Sequence, residues 1–98
     1  MLVKFKDGTE RECANPTEQK IFKSGGAAGW MCALAITQDM ASEEADAVIT
    51  PENVSELTFC SDGGDTLFTL TGYDKITSTV IRHSAGSATV EVQMLKGV

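Results

Sequence analysis

Ala88-Thr89-Val90-Glu91-Val92-Gln93-Met94 alternates apolar and polar side chains without a break. A period of two puts Ala88, Val90, Val92 and Met94 on one face of a β-strand and Thr89, Glu91 and Gln93 on the other. The same period runs backwards along the chain. Ile76, Ser78 and Val80 alternate with Thr77, Thr79 and Ile81. Phe68 and Leu70 alternate with Leu67, Thr69 and Thr71, and Leu57 and Phe59 with Thr58 and Cys60. Between these runs stand Ser61-Asp62-Gly63-Gly64-Asp65, Gly72-Tyr73 and Ser84-Ala85-Gly86-Ser87. The first and last are built of turn-forming residues, and Gly72 marks a bulge or bend. Four strands joined by short turns predict an antiparallel meander from Ser55 onward, with one wet face.

Upstream, Met1 to Ala14 reads as a β-hairpin turned at Asp7-Gly8. A two-residue loop would set Lys4 against Arg11. A three-residue loop, Lys6-Asp7-Gly8 with Gly8 left-handed, sets Lys4 against Glu10 and Phe5 against Thr9, so the second register is expected. Asn15-Pro16-Thr17-Glu18 punctuates the chain, with a short extension over Gln19 to Lys23. Ser24-Gly25-Gly26-Ala27-Ala28-Gly29 has side chains too small to pack a core and predicts a surface loop, a plain connector or one that orders on a partner. It lacks the Gly-Lys-Ser/Thr ending of a P-loop and does not fit GxGxxG.

Trp30 to Thr37 predicts a buried strand with Trp30, Cys32, Leu34 and Ile36 on one face and Met31, Ala33 and Ala35 on the other. Periodicity alone leaves a helix open there as well. Asp39 to Ile49 carries a short helix: Ser42 can cap it, Glu43, Glu44 and Asp46 suit its N-terminal turn, and Ala45, Val48 and Ile49 form an apolar stripe. Thr50-Pro51-Glu52-Asn53 opens one further turn before Ser55. The fold class is therefore α+β, mainly antiparallel β. An N-terminal hairpin and a C-terminal four-stranded meander form a sheet or small barrel, with one helix at about residues 42–49. The 98 residues make a single domain, 1–98.

Composition narrows the function. With 42% hydrophobic and 22% charged residues the chain is too apolar for a disordered tail. Its longest apolar run, Ala27 to Ile36, is about half the length that spans a bilayer. It starts too late and without a basic lead to be a signal peptide, so neither a membrane nor secretion is expected. The net charge is -6. No basic residue lies between Lys23 and Lys75, a stretch that carries Asp39, Glu43, Glu44, Asp46, Glu52, Glu56, Asp62, Asp65 and Asp74. Such a surface repels phosphate backbones, so direct nucleic-acid binding is disfavoured. It is a solvated acidic face or a surface offered to a basic partner.

Little of the sequence carries chemistry. Cys13, Cys32 and Cys60 are an odd, widely spaced set, expected to be buried free thiols in a reducing cytoplasm. His83 is the sole histidine. Ser84 beside it points the other way on a strand, and Ser78 and Asp74 are candidates of proximity only. There is no GxSxG elbow. Asp62-Gly63-Gly64-Asp65 pairs two carboxylates but lacks the further oxygens of a calcium loop. The reading assigns no catalytic residue, no metal ligand and no cofactor. The residues selected for protein contact are Gly25, Gly26, Gly29 and Trp30, where a tryptophan borders a flexible stretch, and the acids Glu43, Glu44, Asp46, Asp62 and Asp65.

Met1-Leu2-Val3-Lys4-Phe5-Lys6-Asp7-Gly8-Thr9-Glu10 resembles the start of small proteins encoded among tail-morphogenesis genes of phages and prophages of Gram-positive bacteria. Thr50-Pro51-Glu52-Asn53-Val54-Ser55-Glu56-Leu57-Thr58-Phe59 is similar to them too. So are Gly72-Tyr73 before a long strand and the closing Val90-Glu91-Val92-Gln93-Met94-Leu95. Where such proteins often have longer polar strands after the first hairpin, this chain has Gly25 to Gly29. The resemblance brings no catalytic residues. It implies a non-enzymatic, tail-associated structural or assembly protein, made in the bacterial cytoplasm and open to incorporation in the virion. Its partners would be tail proteins or copies of itself, giving a homo-oligomer. The alternative is an acidic phage-encoded inhibitor that binds a basic site on a host defence protein, in the manner of nucleic acid. That would need most of the nine acids on one face.

Overall fold

Charge pairing selects the register found in the first hairpin. The structure is a computed structural model that describes residues 1–23, 25–84 and 87–97. Strand β1 (Leu2–Lys4) pairs antiparallel with the start of β2 (Glu10–Lys23), and Lys4 stands opposite Glu10. The Phe5 amide donates to Thr9 O at 2.9 Å and the Gly8 amide to Phe5 O at 3.0 Å. Gly8 lies at φ +91°, a conformation that costs a glycine little. The Asp7 carboxylate accepts the Thr9 amide at 2.8 Å and tightens the loop.

β2 does not stop where the sequence punctuates. It runs through Asn15-Pro16 as one 14-residue strand, with a register shift between Ala14 and Thr17. Asn15 takes a left-handed φ of 53°, and Pro16, which has no amide to donate, sits in the bulge. Nor is Gly26 to Gly29 a loop. β3 spans Gly26–Ile36, and Phe22 pairs with Ala27 and Ile21 with Gly29. Gly26 and Gly29 take φ of +134° and +147°, which glycine adopts at little cost. A Cβ on Gly97 (φ +71°) would lie 3.4 Å from Gly29 Cα, where two stretches of the chain pass closely. Within β3, Cys32, Leu34 and Ile36 are buried and Met31, Ala33 and Ala35 half-buried, as the alternation requires.

The helix α1 (Ser42–Val48) is capped by Ala41, with no side-chain capping bond, so Ser42 is its first residue and not its cap. Seven residues cannot hold a helix alone. Ala45, Val48 and the following Ile49 bury themselves, and Glu44 in the first turn pairs with Arg11 of β2. A single 3-10 turn, Asn53–Ser55, leads into β4 (Glu56–Cys60). Then follow β5 (Thr66–Thr71), β6 (Lys75–Ser84) and β7 (Ser87–Lys96). Ser24, the central Ala85 and Gly86 of the expected last turn, and the side chains of His83 and Ala88 lie outside the described residues.

The protein is mainly antiparallel β with one short helix, and the last four strands form two hairpins. They do not form one meander. The sheet order is β5-β4-β1-β2-β3-β7-β6, with the first three strands between the hairpins. β5 and β6, consecutive in sequence, are the two outer strands. Laid flat, seven strands at ~4.8 Å spacing would hold those edges about 29 Å apart. The chain from Thr71 to Lys75 reaches at most about 14 Å. The sheet must therefore curl until its ends approach, without a ladder between β5 and β6 to close it. Inside the curl lies one contiguous core, with Val3, Ile36, Val54, Leu57, Phe59, Tyr73 and Met94 at 0% exposure. Another register shift, between Ile76 and Ser78, changes the phase of β6. Ile76 and Ile81 pack on the core, while Val80 turns outward.

Candidate functional site

The residues selected from sequence fall in three separate places. Gly25, Gly26 and Gly29 belong to the end of the β2–β3 hairpin. β7 accompanies β3 only from Trp30 onward, so this end projects as a two-stranded arm. Trp30 sits at the arm's root, half-buried against the core, with the Lys20 ammonium 5.5 Å from its ring centre. The exposed aromatic of the arm is Phe22, at 69%. Glu43, Glu44 and Asp46 lie on α1, and Glu44 is engaged by Arg11. Asp62 and Asp65 lie in the β4–β5 turn, Asp62 2.7 Å from the Met1 amino group. Glu56 and Asp74 stand at the other end of that hairpin. A five-residue strand, about 17 Å, separates them from Asp62 and Asp65.

Two arrangements were not singled out from sequence. The first is a polar clamp on the β5–β6 connection. The buried Tyr73 hydroxyl donates to Glu18 Oε2 at 2.6 Å. Lys96 Nζ lies 3.6 Å from the same oxygen, 2.8 Å from Thr71 O, to which it donates, and 4.7 Å from the Tyr73 ring centre. Burial, then the hydrogen bond to Glu18, pushes the Tyr73 phenol far above its usual range. It stays protonated and serves as a fixed donor. Burial also pushes the Cys32 thiol up to about 11 and raises Cys13, so neither offers a thiolate near neutral pH. Cys60 departs from expectation. It faces outward on β4 and is half-buried, because Leu57 and Phe59 take the core face. Among the described residues no three His, Cys, Asp or Glu side chains converge to hold a metal ion.

The second arrangement is the β5 edge. Thr66-Leu67-Phe68-Thr69-Leu70-Thr71 contains no charge, and five of its six residues are exposed. Leu67 is 51% and Phe68 40% exposed, although Phe68 also stacks on the buried Phe59 with ring centres 4.6 Å apart. An edge strand without charge or proline is a template for another strand. Beside it, over the outer face of β1 and β4, lies a groove of about 420 Å³ lined by Lys4, Lys6, Glu10, Glu56 and Thr58. Its mixed charges favour no single ligand sign. The alternation did place Phe68 and Leu70 on the core face. It carried no sign that the next strand in sequence leaves for the opposite edge.

No protein-family model, curated protein or solved structure matches the chain. None of the described helices is long and apolar enough to cross a membrane.

Proposed function

We propose that this protein is a non-enzymatic structural or assembly component of a phage or prophage tail that acts through protein contacts. The observation that carries the reading is the uncovered β5 edge, where unpaired backbone and the exposed Leu67 and Phe68 stand together. Contiguous apolar exposure of this kind marks a surface meant to be covered. The projecting arm with Phe22 is a second contact of the same character. The resemblance of the opening hairpin and the Thr50–Phe59 segment supplies the tail context. The inhibitor reading gains less, since the acids divide between α1 and the two ends of the β4–β5 hairpin, with Glu44 and Asp62 already paired.

The test is particle association. A tagged chain is expressed in cells producing phage particles, and tails and assembly intermediates are separated by density and assayed by mass spectrometry. The chain is expected in tail or pre-tail fractions. Recovery only with host proteins, most of it lost in moderate salt, would reverse the ranking in favour of the inhibitor.

A further inference from the structure

Several stretches of the sheet have an unpaired side, and they differ in charge. β6 carries Lys75 and Arg82. The part of β2 beyond β1, from Thr17 to Lys23, carries Glu18, Lys20 and Lys23. Charges on an edge discourage pairing. β5 has none. Gly26–Gly29 of β3, beyond the reach of β7, is uncharged too, but it consists of glycine and alanine, whereas β5 exposes the large apolar Leu67 and Phe68.

The ladder between β4 and β5 shows which backbone groups of β5 are available. The Gly72 amide donates to Ser55 O at 3.0 Å. Hydrogen-bonded pairs alternate along an antiparallel ladder, so Leu70 and Phe68 direct their amides and carbonyls to Leu57 and Phe59 of β4. Thr69 and Thr71 direct theirs outward. Thr71 O already accepts Lys96 Nζ. Leu67 falls at the register shift and has no opposite residue on β4. Beyond the shift the Ser61 amide donates to Asp65 O at 2.8 Å, so Asp65 faces β4 and Thr66 faces outward. On the regular stretch of β5, Thr69 is therefore the position left to receive a strand.

We propose that two copies of the chain pair their β5 edges antiparallel about a two-fold axis, Thr69 of each opposite Thr69 of the other and Phe68 of each opposite Leu70 of the other. Residues opposite each other in such a ladder share a face, so this register sets core face beside core face. A slip by one would set Phe68 against an outward threonine. The exposed Phe68 ring, stacked on Phe59, would be covered by Leu70 of the second copy. Only one short strand per copy takes part, so the interface is small and the dimer a weak, reversible one. This deepens the assembly reading and rests on it for its biological setting, but its geometry stands on β5 alone.

Sedimentation equilibrium between about 1 µM and about 1 mM tests it. The chain is expected to pass from monomer to dimer within that range. Thr69→Pro removes an amide that faces away from β4, so the internal ladder survives. It should weaken dimerisation at least about 30-fold, two hydrogen bonds being lost across the axis, and leave the far-UV spectrum and unfolding midpoint unchanged. Leu67→Lys, at an exposed site, should act alike if Thr69→Pro fails to fold, and Val80→Lys on the β6 edge should change nothing. A monomer throughout, a dimer surviving both β5 changes, or one abolished by Val80→Lys would overturn the proposal. None of these alters the particle-association result, so the two readings can fail separately.

Discussion

Asn53 is a polar side chain buried in the core, and its backbone and side-chain groups are all engaged. Its amide donates to Thr50 Oγ1 at 3.2 Å and its carbonyl accepts the Lys6 amide at 3.1 Å. Its Oδ1 accepts the Asp7 amide at 2.9 Å, and its Nδ2 donates to Val48 O at 2.8 Å. The first hairpin's loop is thus tied to the end of α1 through one residue. Asn53→Ala takes the acceptor from the Asp7 amide and leaves Val48 O with the Thr50 amide alone at 3.1 Å, and should cost about 1–3 kcal/mol in urea unfolding. A loss below about 0.5 kcal/mol would mean water takes over both contacts. The sequence marks Asn53 as a turn residue but cannot show partners 46 and 5 positions away. Tyr73 makes a different prediction. Its phenol titrates higher in the folded chain than in the unfolded one, so the stability it contributes is fully present below about pH 10 and falls as pH rises above that. Tyr73→Phe should be less stable at neutral pH. Above pH 10 it should lose stability less steeply than the parent, by about 1.4 kcal/mol per pH unit. Parallel curves through that range would remove Tyr73 from the account; the Cys32 thiol, raised to about 11, bends both curves alike.

β2 and β6 show what the period of two conveys and where it fails. The alternation is legible because side-chain direction is fixed by the pleat, and it placed Cys32, Leu34, Ile36, Val90, Val92 and Met94 correctly on the core side. A bulge adds one residue and inverts the phase beyond it. That is why Ile81 is inside and Val80 outside, although both belong to one unbroken apolar and threonine run. In β2 the same device looks like a strand end, because Asn-Pro is turn vocabulary. The left-handed Asn15 makes the distinction testable. Asn15→Gly should match or slightly exceed the parent's stability. Asn15→Val, branched at Cβ and forced to positive φ, should lose about 1–2 kcal/mol. If position 15 were ordinary extended backbone, valine would be at least as stable as glycine in thermal unfolding.

For the whole molecule, local pattern specified most strands and the helix, but the order in which strands lie side by side was out of its reach. Hairpins are local and were legible. Placing β1, β2 and β3 between β4 and β7 depends on which edges meet after collapse, and every antiparallel arrangement of these strands shows the same alternation. The candidate site shared that limit: an edge exists only once the order is known, so β5 read as an interior strand. The order also dictates a gradient of local stability. β3 and β7 have neighbours on both sides over Cys32–Ile36 and Val90–Met94 and bury their inner residues almost completely. Their amides should exchange most slowly, near the rate of global unfolding. The arm's paired residues, Ile21–Lys23 and Gly26–Gly29, have one neighbour strand and should exchange through local opening. On β5 the amides of Phe68 and Leu70, held by β4, should be protected at any concentration. Thr69, facing outward, should exchange freely in dilute solution and slow only as concentration brings two copies together. Protection of Thr69 that is strong and independent of concentration would place another part of the same chain over that edge, and the sheet would then be closed within one molecule.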